Sequence, residues 1–312
     1  MKNKTSISIV IPTMNRVQSL LDTIEYLQQG TDCPDEIIVV DQSKSEEVQE
    51  QIQSALKETK ISCHYFHRPP SLTAARNFGL RQASNDVVVF MDDDVRVQPE
   101  TIEHIQSIME EDSISMIAGL DLNAGTEKSK LGYVFGKKSY RKRAVGHVTG
   151  ALYGRLPQKT TQRVQTQWAM GYFFAIRKSL AQKWQLAWDE RFHSYGYPED
   201  LDFSYRYWRA SKEEGLQCIV DPLVSVYHMV SKEWRETEKA VTFMQVIHRE
   251  YLTYKWGLHW TARLFTRWSN FGLFCERAVR RNRCLDVLKA QYYCDCYRKD
   301  IKKGILHPEL YQ

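Results

Sequence analysis

The chain has 312 residues, of which 43% are hydrophobic and 26% charged, with a formal net charge of +5. These figures exclude a disordered or collagen-like chain and leave room for one α/β domain with an appendage. No stretch reaches the ~20 apolar residues of a bilayer crossing, and the chain opens on a strand pattern without a secretory leader, which predicts a cytoplasmic protein.

The seven cysteines are scattered, with no CxxC pair, so reduced thiols are expected and a zinc site is not. Charge is unevenly spread. Beyond Ser231, Lys and Arg outnumber Asp and Glu about two to one, which points to an anionic surface or partner for the C-terminal part.

The first half alternates strand and helix signals. Ile7 to Ile11 is a buried-strand run stopped by Pro12, and Leu20, Leu21, Ile24 and Leu27 then repeat at helical spacing. Glu36 to Asp41 is the second strand, a polar helix runs from about Glu46 to Lys57, and Ser62 to His67 alternates as a strand. A helix over Leu72 to Ala83 leads to Asp86 to Asp92, a strand apolar enough to be buried on both faces. Pro99 opens another helix, and Ser115 to Leu120 forms a further strand. Such alternation predicts a mostly parallel, Rossmann-like sheet covered by helices. No GxGxxG follows the first strand, which argues against a dinucleotide.

From Asn123 to Gln167 the pattern fails, in a basic stretch that includes Lys137 to Arg143, and a long loop is expected there. Apolar order returns at Trp168 to Ile176, a helix begins near Asp200, and Ile219 to Tyr227 reads as the last strand. After Glu238 the chain turns helical and aromatic. Ala240, Phe243, Ile247, Tyr251 and Tyr254 share one face, and a second helix carries Trp260, Leu264, Trp268 and Phe271 beside Arg263 and Arg267. Residues 1–230 are therefore expected to form the sheet domain, with its basic loop at about 123–167, and residues 231–312 a helical extension.

Three carboxylates, Asp92, Asp93 and Asp94, sit at the carboxyl end of the buried strand, where open α/β sheets bind ligands. Packed like charges repel unless a cation neutralises them, so a hard divalent metal gripping substrate phosphates is one reading and a solvated turn the other. Asp41 ends the second strand, placed either to meet a nucleoside or to start a turn. Arg76 offers its fork to a pyrophosphate or locks an Asp of the cluster. Glu199, Asp200 and Asp202 open a helix, as caps or as a base for an alcohol. His228 ends the last strand and suits a metal ligand.

Taken in order, Ile9 to Arg16, Val39-Val40-Asp41 with Gln42-Ser43, Ala75 to Gly79, Asp92 to Asp94, Glu199-Asp200 and His228 resemble glycosyltransferase family 2 over roughly residues 6 to 230. The resemblance implies a GT-A fold and inverting sugar transfer from a nucleotide diphosphate donor, commonly a UDP-sugar, with Mn²⁺ or Mg²⁺. The acceptor it implies is a saccharide or lipid-linked saccharide in polysaccharide or glycoconjugate assembly. Pro12, Asn15 and Arg16 would frame the donor, Asp41 would recognise its base, and Asp92 would face ribose and metal. Asp94 would ligate the metal, with Asp93 in support and against the donor nucleotide, and His228 would be a further ligand. Asp200 would be the base, with Glu199 holding hydroxyls, and Trp168 would be either a sugar-stacking platform for the acceptor or a core residue. Pro198 stands where the family commonly has Gly, which leaves the choice among Glu199, Asp200 and Asp202 open. Competing readings are a sugar nucleotidyltransferase and a catalytically silent scaffold. The basic aromatic tail is expected to lie on the inner face of an anionic membrane, with packing on the domain or on a second copy as alternatives. No nucleic-acid reader accompanies the charge.

Overall fold

The structure is a computed structural model that describes residues 4–124, 131–137, 146–156, 160–192, 197–230 and 237–311. Of the basic run expected over Lys137 to Arg143, all but Lys137 lies outside them.

In chain order the elements are β1 (Ile7–Thr13), α1 (Val17–Gln28), β2 (Glu36–Asp41), α2 (Glu46–Leu56), β3 (Ser62–His67), α3 (Leu72–Gln82), β4 (Val87–Met91), β5 (Val95–Val97), α4 (Thr101–Met109) and β6 (Ile114–Asp121). The irregular stretch that follows holds α5 (Leu131–Val134) and the short strands β7 (His147–Val148), β8 (Gly154–Arg155) and β9 (Val164–Gln165). Then come β10 (Phe173–Arg177), α6 (Lys178–Lys183), α7 (Glu199–Glu213) and β11 (Gln217–His228). The chain closes with α8 (Glu238–Lys255), α9 (Trp260–Val279), α10 (Cys284–Cys296) and α11 (Arg298–Lys303).

Among the described residues the main sheet runs β3-β2-β1-β4-β10-β6-β11-β5, with β9 beside β11. The strands β3, β2, β1 and β4 are parallel, as strand–helix alternation requires. β10 enters antiparallel between β4 and β6. Its residues Phe173 to Ile176 are buried on both faces, which is why an apolar run without alternation marks it. Helix α3 lies close on β1, since a Cβ on Gly79 would come within 2.2 Å of Val10 Cγ1. A side chain there would lift the helix from the sheet.

The last four helices do not stand apart from the sheet. Ala240, Phe243, Ile247 and Tyr251 of α8 are buried in a cluster with Leu152, Trp168, Phe192 and Leu201. Lys255 at the end of α8 donates to Asp189 (2.6 Å) and to Asp202 (2.7 Å), and Trp256 Nε1 donates to Asp202 (2.9 Å). The α8 stripe predicted from sequence is thus core. The α9 stripe faces outward, with Trp260, Leu264, Trp268 and Phe271 exposed.

Candidate active site

β4 delivers the three aspartates to the carboxyl edge of the sheet, and each meets a different neighbour. Asp93 turns inward. Its carboxylate accepts from Thr13 Oγ1 (2.7 Å) and Arg16 (2.8 Å), while its carbonyl accepts from Ser19 and Thr23. Burial pushes its pKa up to about 6, against the pull of Arg16. Asp93 therefore fixes the loop and holds Arg16, which corrects the expected place of Asp93 against the donor. Asp92 and Asp94 face out of the turn.

His228 joins them through strand pairing. β11 runs antiparallel to β5 with His228 opposite Val95, one residue beyond Asp94. His228 Nε2 lies 3.3 Å from Asp94 Oδ1, and its ring stacks on Tyr172 with centroids 5.0 Å apart. Its backbone N–H donates to Asp121 (3.1 Å). Burial works against a charge on this imidazole, but the hydrogen bond to Asp94 and the charge of Asp92 outweigh it and raise its pKa. Ligand atoms of Asp92, Asp94 and His228 all lie within 4.8 Å of one another. Two carboxylate oxygens and one imidazole nitrogen, crowded with like charge on the carboxylates, fit a divalent ion such as Mn²⁺ or Mg²⁺.

Arg76 ties this cluster to the α7 carboxylates. It is 1% exposed, and its guanidinium donates to Glu199 (2.8 Å), Asp92 (3.0 Å) and the Gly171 carbonyl (3.0 Å). Of the two roles open in the sequence, the structure shows the lock. Its fork is spent on carboxylates and is not turned to a pyrophosphate, which corrects the donor-binding expectation. Glu199 is buried, and its pKa is raised by burial and by Asp200 against the pull of Arg76. Asp200 is half-buried. Its carboxylate accepts from the backbone N–H of Gly171 (2.9 Å) and of Leu201 (2.7 Å), yet burial still raises its pKa. Asp202 is fully buried and bonded to Arg206, Lys255 and Trp256, so it braces α7 against α8 and drops out of the choice of base.

Two further expectations change. Asp41 is fully buried, and its carboxylate accepts from Ser43 N–H (2.9 Å) and Tyr65 OH (2.8 Å). It shapes the turn after β2 and presents no free edge to a base. Trp168 is 4% exposed and packs so closely on Gly154 that a Cβ there would sit 2.3 Å from its ring. It is a core residue and offers no face for a sugar. Pro12 is buried within β1 opposite Val40, and Asn15 takes a left-handed φ of 57° while its N–H donates to Ser43 Oγ (2.8 Å). Together they set the loop that carries Arg16.

A cavity of about 730 Å³ opens at the cluster. Arg16, Asp92, Asp94 and His228 line its sheet side, and Val241, Gln245, Leu273 and Arg277 of α8 and α9 line the other. Sequence reasoning missed this helical wall, along with Gly171 and Tyr172. The Met170-Gly171-Tyr172 step before an apolar strand is the signal that could have flagged the latter two.

The sequence model of Glycosyl transferase family 2 matches residues 8–185, more than half of the chain. A hyaluronan synthase of Pasteurella multocida is 29% identical over 225 residues, covering 65% of this chain and 23% of that protein, so the chain spans less than a quarter of its length. Among solved structures, GalNAc-T7 with UDP, GalNAc and Mn²⁺ superposes with a TM-score of 0.59 at 16% identity, over 97% of this chain and 58% of the other. Mannosyltransferase PcManGT from Pyrobaculum calidifontis in complex with GDP-Man and Mn²⁺ gives 0.55 at 13% identity, over 99% and 87%. The fold likeness and the family match agree with the ordered motifs at the sheet edge, and the chain belongs to glycosyl transferase family 2, with its GT-A fold.

Proposed function

We propose that the protein transfers a sugar from a nucleotide diphosphate donor to a hydroxyl of a saccharide or lipid-linked saccharide, with inversion and with a divalent metal. The observation that carries this reading is the bridge made by Arg76. It holds Asp92 of the metal cluster and Glu199, the neighbour of Asp200, in one buried unit.

Asp92, Asp94 and His228 would hold Mn²⁺ or Mg²⁺, which supplies charge neutralisation for a departing diphosphate. Arg16, at the cavity wall and 3.7 Å from Asp94, is placed to meet a donor phosphate. Asp200 takes the proton of the attacking hydroxyl, and its raised pKa moves it toward the range of an effective base. Gly171 N–H aims its carboxylate, and Glu199 acts through Arg76 to keep that aim. A single displacement with one base needs no covalent intermediate and inverts the sugar carbon. UDP or GDP donors are favoured by the ligands bound to the structural neighbours. We take residues 1–230 as the catalytic unit and 231–312 as the extension that completes its cavity.

The test is release of nucleoside diphosphate from UDP- and GDP-sugars with Mn²⁺ or Mg²⁺, in wild type, Asp94→Asn and Asp200→Asn. Asp94→Asn should lose metal-dependent donor binding. Asp200→Asn should keep binding and lose about 10²–10⁴ in kcat. Unchanged turnover in both variants would mean a different site. Release of pyrophosphate from a nucleoside triphosphate would point to nucleotidyl transfer.

A further inference from the structure

Helix α9 has two faces with different fates. At 100° per residue, Leu273, Arg277 and Arg280 fall about 150–170° from the centre of the face that carries Leu264, Trp268 and Phe271. The first set lines the catalytic cavity. On the second face, Trp260, Leu264, Phe265, Trp268 and Phe271 are each 47–56% exposed. Trp268 Nε1 on this face donates to the Val134 carbonyl (2.9 Å), and Phe135 packs against both Trp268 and Phe271. On α10 the exposed residues Leu285, Leu288 and Tyr292 recur at helical spacing beside Lys289. The turn between the two helices carries the exposed residues Arg281 and Arg283.

An apolar face of this size on a water-soluble surface marks an interaction site, and its charge selects the partner. Residues 260–303 hold eleven Lys and Arg against four Asp and Glu, whereas the whole chain nets only +5. Everything outside this segment is therefore net negative. Aromatic and leucine side chains on one helix face, flanked by arginines, match the boundary of a bilayer with anionic headgroups. Among the described residues no helix is long and apolar enough to cross a membrane, so the helix would lie along the surface.

We propose that α9 and the start of α10 dock on an anionic lipid bilayer, with Leu264, Phe265, Trp268 and Phe271 entering the headgroup boundary and Arg281 and Arg283 meeting the headgroups. Since one helix is about 10–12 Å across, docking would hold the cavity within roughly that distance of the lipid surface. The proposal concerns binding alone and stands or falls separately from the catalytic reading.

The full chain is to be mixed with vesicles of phosphatidylcholine, with or without about 30% phosphatidylglycerol, and sedimented at low and high salt. Wild type should bind the anionic vesicles only, weaken as salt rises, and show a blue shift of tryptophan emission. Leu264→Ser with Phe265→Ser should lose at least about tenfold in affinity while melting at the wild-type temperature. Arg281→Gln should lose about fivefold. Absence of binding to anionic vesicles overturns the proposal, as does binding that the double variant leaves unchanged. A dimer in sedimentation equilibrium that the double variant dissociates, without vesicle binding, would assign the face to a second copy and overturn it too.

Discussion

Removing Arg76 would leave two carboxylates, Asp92 and the buried Glu199, without the cation that both share. Breaking a buried pair in this way costs about 3–5 kcal/mol, so Arg76→Met is expected to lower the urea midpoint strongly. Arg76→Lys should rescue only part of it, because one ammonium cannot span two carboxylates and a carbonyl as the fork does. Gly171 makes a subtler case. A Cβ there would lie 2.9 Å from Arg76 Nη2 and 3.2 Å from Asp200 Cβ. Gly171→Ala should reduce kcat by about tenfold or more, by displacing Asp200, the proposed base, and should also lower the melting temperature, because the added methyl meets the buried Arg76 fork. At this scale the sequence was legible where the chemistry is local. Asp92, Asp94 and His228 could be singled out as candidates because each stands at a strand end, and the structure brings their ligand atoms together. The partners of Arg76, the inward turn of Asp41 and the burial of Trp168 depend on side chains far away in sequence, and no spacing encodes them.

Helix α8 is joined to the segment before α7, and to α7 itself, by Lys255, which meets Asp189 and Asp202. Lys255→Met should cost about 2–3 kcal/mol, the range for a buried charge losing a hydrogen-bonded partner. Burial would raise the pKa of Asp189, but Lys255 and Tyr251 outweigh it and hold it below the usual carboxylate value. The stability it contributes is therefore present above the unfolded pKa, near about 4, and is lost as pH falls through the lower folded value. Urea midpoints measured from pH 6 downward should drop below about pH 4 in wild type and drop less in Lys255→Met. Elements in the first half were legible because apolar strands and amphipathic helices alternate there at their own periods. β5 escaped notice because three residues carry no period, yet it is the strand that brings His228 to Asp94.

Considered whole, the molecule builds its cavity from the sheet edge on one side and α8 and α9 on the other. Deleting residues 231–312 would remove that second wall and uncover Leu152, Trp168, Phe192 and Leu201. The truncated chain is expected to aggregate, or to lose donor binding if kept soluble, as read by light scattering and thermal shift. In the intact protein, Mn²⁺ with a cognate nucleoside diphosphate at one hundred times its Kd should add about 2.7 kcal/mol of stability, and chelation should abolish the gain. A helical extension was legible in sequence as a run of aromatic and basic helices. Which of its faces turned inward was not, because α8 and α9 carry similar apolar patterns.

The pairing of β5 with β11 has one more consequence. Strand partners alternate sides, so a slip of one residue would bring Tyr227 to the position of His228 and turn the imidazole to the opposite face. Asp94 and His228 belong to distant parts of the chain, and they meet only when the far edge of the sheet has closed. Any metal affinity of this cluster would thus arise late in folding, and a refolding chain should regain its helices before the proposed metal site can form.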